Sequence, residues 1–169
     1  MLENDAILSS FHPVKSQIQK EHNMQKRPFL PQKPAIPFPH AELTHQIIGV
    51  CYDVANELGN GFVESVYQNS LAIAFRQIHL KASSQVRMEV AFRGEIVGEF
   101  IADFIIGDKV ILEIKAVSAL MPEHSAQVIN YLKASNLDVG LLVNFGRPRI
   151  EVKHLYHPRL HKQDFRMEG

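Results

Sequence analysis

Residues 98–117 read GEFIADFIIGDKVILEIKAV. The run is apolar enough for the interior of a sheet, yet it holds Asp103 in its first half and Glu113 and Lys115 in its second. Burying an unpaired carboxylate is costly, so charges in such strands require partners, water or a metal ion. Side chains alternate faces along a strand. Val110, Leu112, Ile114 and Ala116 therefore make one apolar face, while Ile111, Glu113 and Lys115 share the other. On the preceding strand Asp103 is expected to share its face with Ile101 and Ile105. Whether Asp103 meets Glu113 depends on the turn. A two-residue loop pairs residue 106 with 109 and sends the two carboxylates to opposite faces. A three-residue loop, Gly107-Asp108-Lys109, pairs 106 with 110 and sets Asp103 across from Glu113, with Cβ atoms ~5 Å apart. Gly107 is poorly placed for a left-handed conformation in that loop, and a bulge would have the same effect as the longer loop. Taken alone, the three charges read as a structural ion pair at a sheet margin, since an E-x-K triplet by itself is common.

Downstream, Pro122 suits the first turn of a helix over about 122–135. It carries Gln127 and Tyr131 four residues apart on one face, with His124 a turn earlier. Val139, Leu141 and Val143 make another strand, Gly146 and Pro148 break it, and 150–156 make a last one. Upstream, the 3.6-residue period begins near Ala41. Leu43, Ile47, Val50, Cys51, Val54 and Leu58 form a stripe that ends at Gly59-Asn60-Gly61. A second helix follows, with Val63, Val66, Tyr67, Leu71, Ala74, Phe75 and Ile78 apolar and Glu64 in its first turn, where the helix dipole favours an acid. From Gln85 the period changes to two, with Val86, Met88, Val90 and Phe92 alternating with polar or small residues. The order is helix, helix, three strands, helix, strand, strand. Consecutive strands favour antiparallel pairs, and the crossover through 122–135 favours a parallel one. The expected fold is α/β, a mixed sheet flanked by helices.

The chain of 169 residues is 46% hydrophobic and 21% charged, as in a soluble globular protein. No apolar run approaches the ~18 residues of a membrane span. One cysteine, Cys51, excludes an internal disulfide and a four-cysteine cluster from one chain. MLENDAILSS lacks the pattern of a secretory signal, and the expected location is the cytoplasm. Net charge is zero, so there is no global basic signature of a nucleic-acid binder. Residues 41–153 hold ten Lys/Arg against thirteen acids, a deficit that closes if three of the acids hold a metal ion. Residues 1–40 hold six of the nine prolines and are expected to be an extended, disordered arm. The domain is expected over 41–156, with a polar tail over 157–169.

The segment from about Leu43 to Lys153 resembles the GxxExxY protein family of the PD-(D/E)XK nuclease superfamily. The name-giving motif stands as Gly61-Phe62-Val63-Glu64-Ser65-Val66-Tyr67. The run 98–117 is similar to the acidic-strand and E-x-K pair, and HSAQVINYLKASNLDVGLLVNFG (124–146) supplies Gln127 and Tyr131 in the Q-x-x-x-Y arrangement of RecB-type nucleases. Ala102 stands where the superfamily name has proline, and the cysteines of iron–sulfur RecB-like exonucleases are absent. The resemblance implies a restriction-endonuclease-like αβββαβ core with an extra N-terminal helix. It makes Glu64, Asp103 and Glu113 the metal-binding acids, Lys115 the catalytic lysine, and Gln127 and Tyr131 a supporting pair near the scissile phosphate.

Phosphodiester hydrolysis needs a nucleophilic water, charge neutralisation and support for the leaving oxygen. The expected cofactor is Mg2+, with Mn2+ as a substitute, because these ions prefer carboxylate, phosphate and water oxygens. The Ile114 carbonyl would add a ligand, and the expected partner is nucleic acid, DNA first, with no membrane. The alternatives are a catalytically silent nuclease-fold module that binds nucleic acid or a protein, and a structural protein whose arm recruits partners.

Overall fold

Eight elements follow one another in the computed structural model, which describes residues 39–160. They are α1 (Ala41–Leu58), α2 (Glu64–Gln77), β1 (Ala82–Phe92), β2 (Glu95–Ile106), β3 (Val110–Lys115), α3 (Pro122–Ser135), β4 (Val139–Asn144) and β5 (Glu151–Tyr156). The order matches the expected one. The proline-rich arm lies outside the described residues except for Pro39 and His40. The expected tail lies outside them from residue 161. Its first residues are tied to the domain: Arg159 donates to Asp138 Oδ1 at 2.9 Å and 2.5 Å and to the Asn136 carbonyl at 2.9 Å.

The five strands lie in sequence order, β1-β2-β3-β4-β5. All neighbours are antiparallel except β3 and β4, which α3 joins as a parallel crossover. The apolar stripe of α1 buries Ile47, Val50, Cys51 and Val54, and α2 adds Tyr67, Leu71 and Phe75. They pack with Phe104, Ile106, Val110, Leu112 and Ile114 of the sheet. Each such side chain contributes roughly 1.5–3 kcal/mol on leaving water. Cys51 belongs to this core, and burial pushes its thiol up to about 12, which makes it an inert apolar residue. A second cluster joins Tyr131 and Leu132 of α3 to Ile111, Met88 and Ala102. The sheet is thus covered by helices on both faces, in keeping with a restriction-endonuclease-like α/β fold.

Several expectations need correction. Val63 and Ile78 flank α2 rather than forming part of its apolar face, and are 67% and 44% exposed. β1 begins at Ala82, before the alternation becomes visible. β3 ends at Lys115, two residues before the end of the apolar run, because the Val117 backbone pairs with the side chain of Asn144 instead of a strand. The apolar run of β2 is only partly core. It pairs with β3 through Phe104–Ile106 alone, so the outer half of the β1–β2 ribbon leaves Phe92, Ile96, Val97 and Ile101 exposed.

Asp103 does not share a face with both Ile101 and Ile105. Ile105, Ala102 and Phe100 all border the cluster under α3, whereas Ile101 is exposed. Odd and even positions of one strand can meet on one side only if the alternation inverts between them. Gln85, across from Asp103 in the β1–β2 register, has φ +53° and marks that inversion.

Candidate active site

The turn after β2 decides which face Asp103 shares with Glu113. Ile106 pairs with Val110, so the loop is the three-residue Gly107-Asp108-Lys109. Gly107 and Asp108 both adopt left-handed φ, +61° and +57°, and the Lys109 N–H donates to the Ile106 carbonyl at 3.1 Å. Contrary to the expectation for this loop, Gly107 takes the left-handed conformation, which glycine adopts without a Cβ clash. The pairing of β2 with β3 stops at Phe104–Leu112. One step further, where Asp103 would face Glu113, the strands part. Asp103 Oδ2 instead accepts the Ile114 N–H at 2.8 Å, so a side chain replaces the next rung. Gln85 Nε2 stands 3.4 Å from Asp103 Oδ1.

Glu113 and Lys115 project from the same face of β3, as alternation requires. Lys115 Nζ donates to Glu113 Oε1 at 2.6 Å, with the two side chains only 14% and 4% exposed. Glu113 Oε2 is buried and has no hydrogen-bond partner among the described residues. Burial, the charge of Asp103 and, more weakly, that of Glu64 push the Glu113 carboxyl up to about 7, although Lys115 opposes them. Burial also raises Asp103, against the Ile114 N–H and Lys115. Desolvation alone would lower Lys115. The bond to Glu113 and the three carboxylate charges outweigh it, so the ammonium is held above its ordinary value.

Glu64 is the first residue of α2. Burial raises its carboxyl; Lys115 opposes this, Asp103 adds to it, and the Ala116 amide and His124 oppose it more weakly. Tyr67 fixes the entry of this helix. Its hydroxyl donates to the Gly59 carbonyl at 2.9 Å, and its ring stacks on Phe145 at 4.6 Å. On α3, Gln127 Nε2 donates to the Tyr131 hydroxyl at 2.6 Å. Tyr131 is both packed and polar. It is 3% exposed and lies against Phe100, yet burial and then the charge of Glu113 raise its hydroxyl pKa, with Lys115 and Asp103 also felt there.

Glu64, Asp103, Glu113, Lys115, Gln127 and Tyr131 thus share one electrostatic neighbourhood. They do not form a ready metal cage: among the described residues no three His, Cys, Asp or Glu side chains stand grouped to hold an ion. Asp103 and Glu113 each spend an oxygen on Ile114 and Lys115. Residues without a motif signal also shape the site. Gln85 touches Asp103, and the fully buried Asn144 clamps Val117 two residues beyond Lys115. Asn144 Oδ1 accepts from Val117 and Gly146 N–H, both at 3.0 Å, and its Nδ2 donates to the Val117 carbonyl at 2.8 Å. The only sequence cue was a polar residue ending an apolar strand.

No curated protein matches the chain. Among solved structures, a protein named SSO0001 aligns at 21% identity over 76% of this chain and 68% of its own, with a TM-score of 0.46. An alkaline exonuclease (LHK-Exo) from Laribacter hongkongensis aligns at 10% identity over 76% of each chain, with a TM-score of 0.43. Residues 41–155, which run from the start of α1 to the penultimate residue of β5 and include all six residues of the carboxylate–lysine site, match the PD-(D/E)XK nuclease superfamily, and the chain belongs to it.

Proposed function

We propose that this protein is a divalent-metal-dependent nuclease of the GxxExxY, RecB-like kind that hydrolyses phosphodiester bonds of nucleic acid, DNA in the first place, in the cytoplasm. The observation that carries this reading is the orphaned Oε2 of Glu113, a buried carboxylate oxygen with no hydrogen-bond donor among the described residues. A buried acceptor left unpaired costs about 1–3 kcal/mol, more when charged, and a cation offsets that cost. The donors are all hard oxygens: Glu113, Asp103 through Oδ1, which only the long 3.4 Å contact from Gln85 now occupies, Glu64 and the Ile114 carbonyl. That set fits Mg2+, with Mn2+ as a substitute, better than a softer metal. Such an ion, when bound, polarises the phosphoryl group and acidifies a water.

The remaining roles belong to the chain itself. Lys115 stays charged and, held on Glu113, orients the attacking water and offsets charge developing at phosphorus. The Tyr131 hydroxyl accepts from Gln127 and so has its own proton to donate to a phosphate oxygen. Glu64, at the head of α2 and within the field of Lys115 and Asp103, orders water at the site.

The test is cleavage of single- and double-stranded DNA and RNA with Mg2+, Mn2+ or chelator, with Lys115→Ala as control. Metal-dependent products from the wild type, lost in the variant while Mn2+ affinity is kept, are expected, since a charged lysine is no metal ligand. Cleavage by Lys115→Ala at the wild-type rate would remove its assigned role. Binding without cleavage by the wild type would favour the silent module.

A further inference from the structure

The segment after β4 reads Phe145-Gly146-Arg147-Pro148-Arg149-Ile150. It is fastened to the exit of β3 at several points. Besides the Asn144 clamp, the Phe145 N–H donates to the Lys115 carbonyl at 2.7 Å. Gly146 lies so close to Val117 that a Cβ there would stand 2.3 Å from the carbonyl oxygen and 2.5 Å from the nitrogen, an approach only glycine permits. The Phe145 ring stacks on Tyr67, and Ile150 is buried at the other end. Pro148 fixes φ between the two arginines.

This anchored loop presents Arg147 and Arg149 to solvent. Both are exposed, and neither has a hydrogen bond or ion pair among the described residues. Lys81, Arg87 and Arg159 are paired, with Asp108, Glu99 and Asp138; Arg76, Lys109 and Lys133, like the two loop arginines, have no ion pair among the described residues. The nearby Glu151 stands 3.6 Å from Lys153. The loop is also well placed. Asn144 is level with Lys115 in the parallel register. Arg147, three residues on, therefore has its Cα within about 16 Å of that of Lys115, and the guanidinium reaches further.

We infer that the Gly146–Arg149 loop is a phosphate grip, in which Arg147 and Arg149 hold the sugar–phosphate backbone of a nucleic-acid strand beside the carboxylate–lysine site. The inference rests on the nuclease reading above and adds the element that holds the polymer. A domain with more acids than bases and a carboxylate cluster at its centre repels a polyanion unless cations flank the site. Two arginines on a braced loop meet that need, because a planar guanidinium forks onto phosphate oxygens and loses little freedom when its tether is rigid. Contacts of this kind position the strand and read no sequence.

The test is fluorescence anisotropy of labelled DNA and RNA oligonucleotides over a series of KCl concentrations, with Ca2+ in place of Mg2+ and the nucleic acid checked for integrity afterwards. Arg147→Ala, Arg149→Ala and the double variant are compared with the wild type and with Arg76→Ala. Arg76 sits in the last turn of α2, about 18 Å along the helix from Glu64, and controls for charge alone. Each loop variant is expected to lower the slope of log K against log [salt] by about 0.7–0.9 and to weaken binding to unrelated sequences equally. The double variant should lose about twice that slope, and Arg76→Ala none. Wild-type binding with unchanged slopes in the loop variants would overturn the grip and leave the nuclease reading standing. An equal loss in Arg76→Ala would reduce the effect to bulk charge and also overturn it. A wild type that binds neither DNA nor RNA would overturn both readings.

Discussion

Replacing Glu113 with glutamine should stabilise the metal-free protein, and the gain should depend on pH in a defined way. In the fold, burial, Asp103 and Glu64 push this carboxyl from an ordinary 4.5 up to about 7. At about 1.4 kcal/mol for each tenfold change in proton affinity, ionising it in the fold costs roughly 3 kcal/mol more than in the unfolded chain. Below 4.5 the carboxyl is protonated in both states and the cost is absent. Between 4.5 and about 7 the folded state holds a proton the unfolded chain has released, so stability falls as pH rises; above that range the penalty is complete. Glu113→Gln removes the ionisable group. The new amide must find partners and Lys115 loses one, so the net gain above pH 7 should be about 1–3 kcal/mol. For a domain of this size that is a rise of roughly 3–12 °C. Thermal and urea melts of both proteins across pH, with chelator, measure it. Mn2+ should raise the wild-type midpoint, by about 2.7 kcal/mol at a hundredfold excess over Kd, and leave the variant nearly unchanged. A Glu113→Gln protein less stable than wild type above pH 7, indifferent to Mn2+, would make the pair with Lys115 a structural ion pair and refute the reasoning.

Asp103→Asn keeps an acceptor for the Ile114 N–H, so without metal it should melt no lower than wild type, while losing most of the Mn2+-induced shift in the same assay. Asn144→Ala removes the three hydrogen bonds of a fully buried side chain and strands the Val117 and Gly146 backbone, which should cost about 2–4 kcal/mol in urea denaturation. Gly146→Ala drives a Cβ into the Val117 backbone and should cost at least about 2 kcal/mol, read as a lower urea midpoint; a neutral result would show that the two segments separate freely.

The element order and the chemistry of β3 were legible because each rests on a strong local signal. The period changes from 3.6 to 2 after α2, and charges inside the apolar runs of β2 and β3 stand out against their neighbours. Whether Asp103 shares a face with Glu113 was left open, because the sequence admits two loop lengths and only backbone geometry chooses. The inversion at Gln85 was not legible, since a polar residue with positive φ leaves no periodic trace. The exposure of Ile96 and Val97 was hidden for a different reason. Apolarity shows what a strand tolerates, whereas burial depends on how far β3 and α3 extend over it. Asn144 escaped notice because one asparagine after VGLLV looks like the end of a strand, and its partner is 27 positions away.

The outer half of the β1–β2 ribbon has a consequence for motion. Beyond the Gln85–Asp103 level it has no third strand among the described residues, and several of its apolar side chains face water. Two-stranded ribbons with so little packing open locally at a small fraction of the global unfolding free energy. Amides over 88–98 should therefore exchange with deuterium well before those of β3 and β4. The junction of this ribbon with the sheet is where Gln85 reaches toward Asp103. Fraying that starts at the ribbon tip and travels inward would end on Asp103, so a fast-exchanging part of the fold and the candidate site would share one junction.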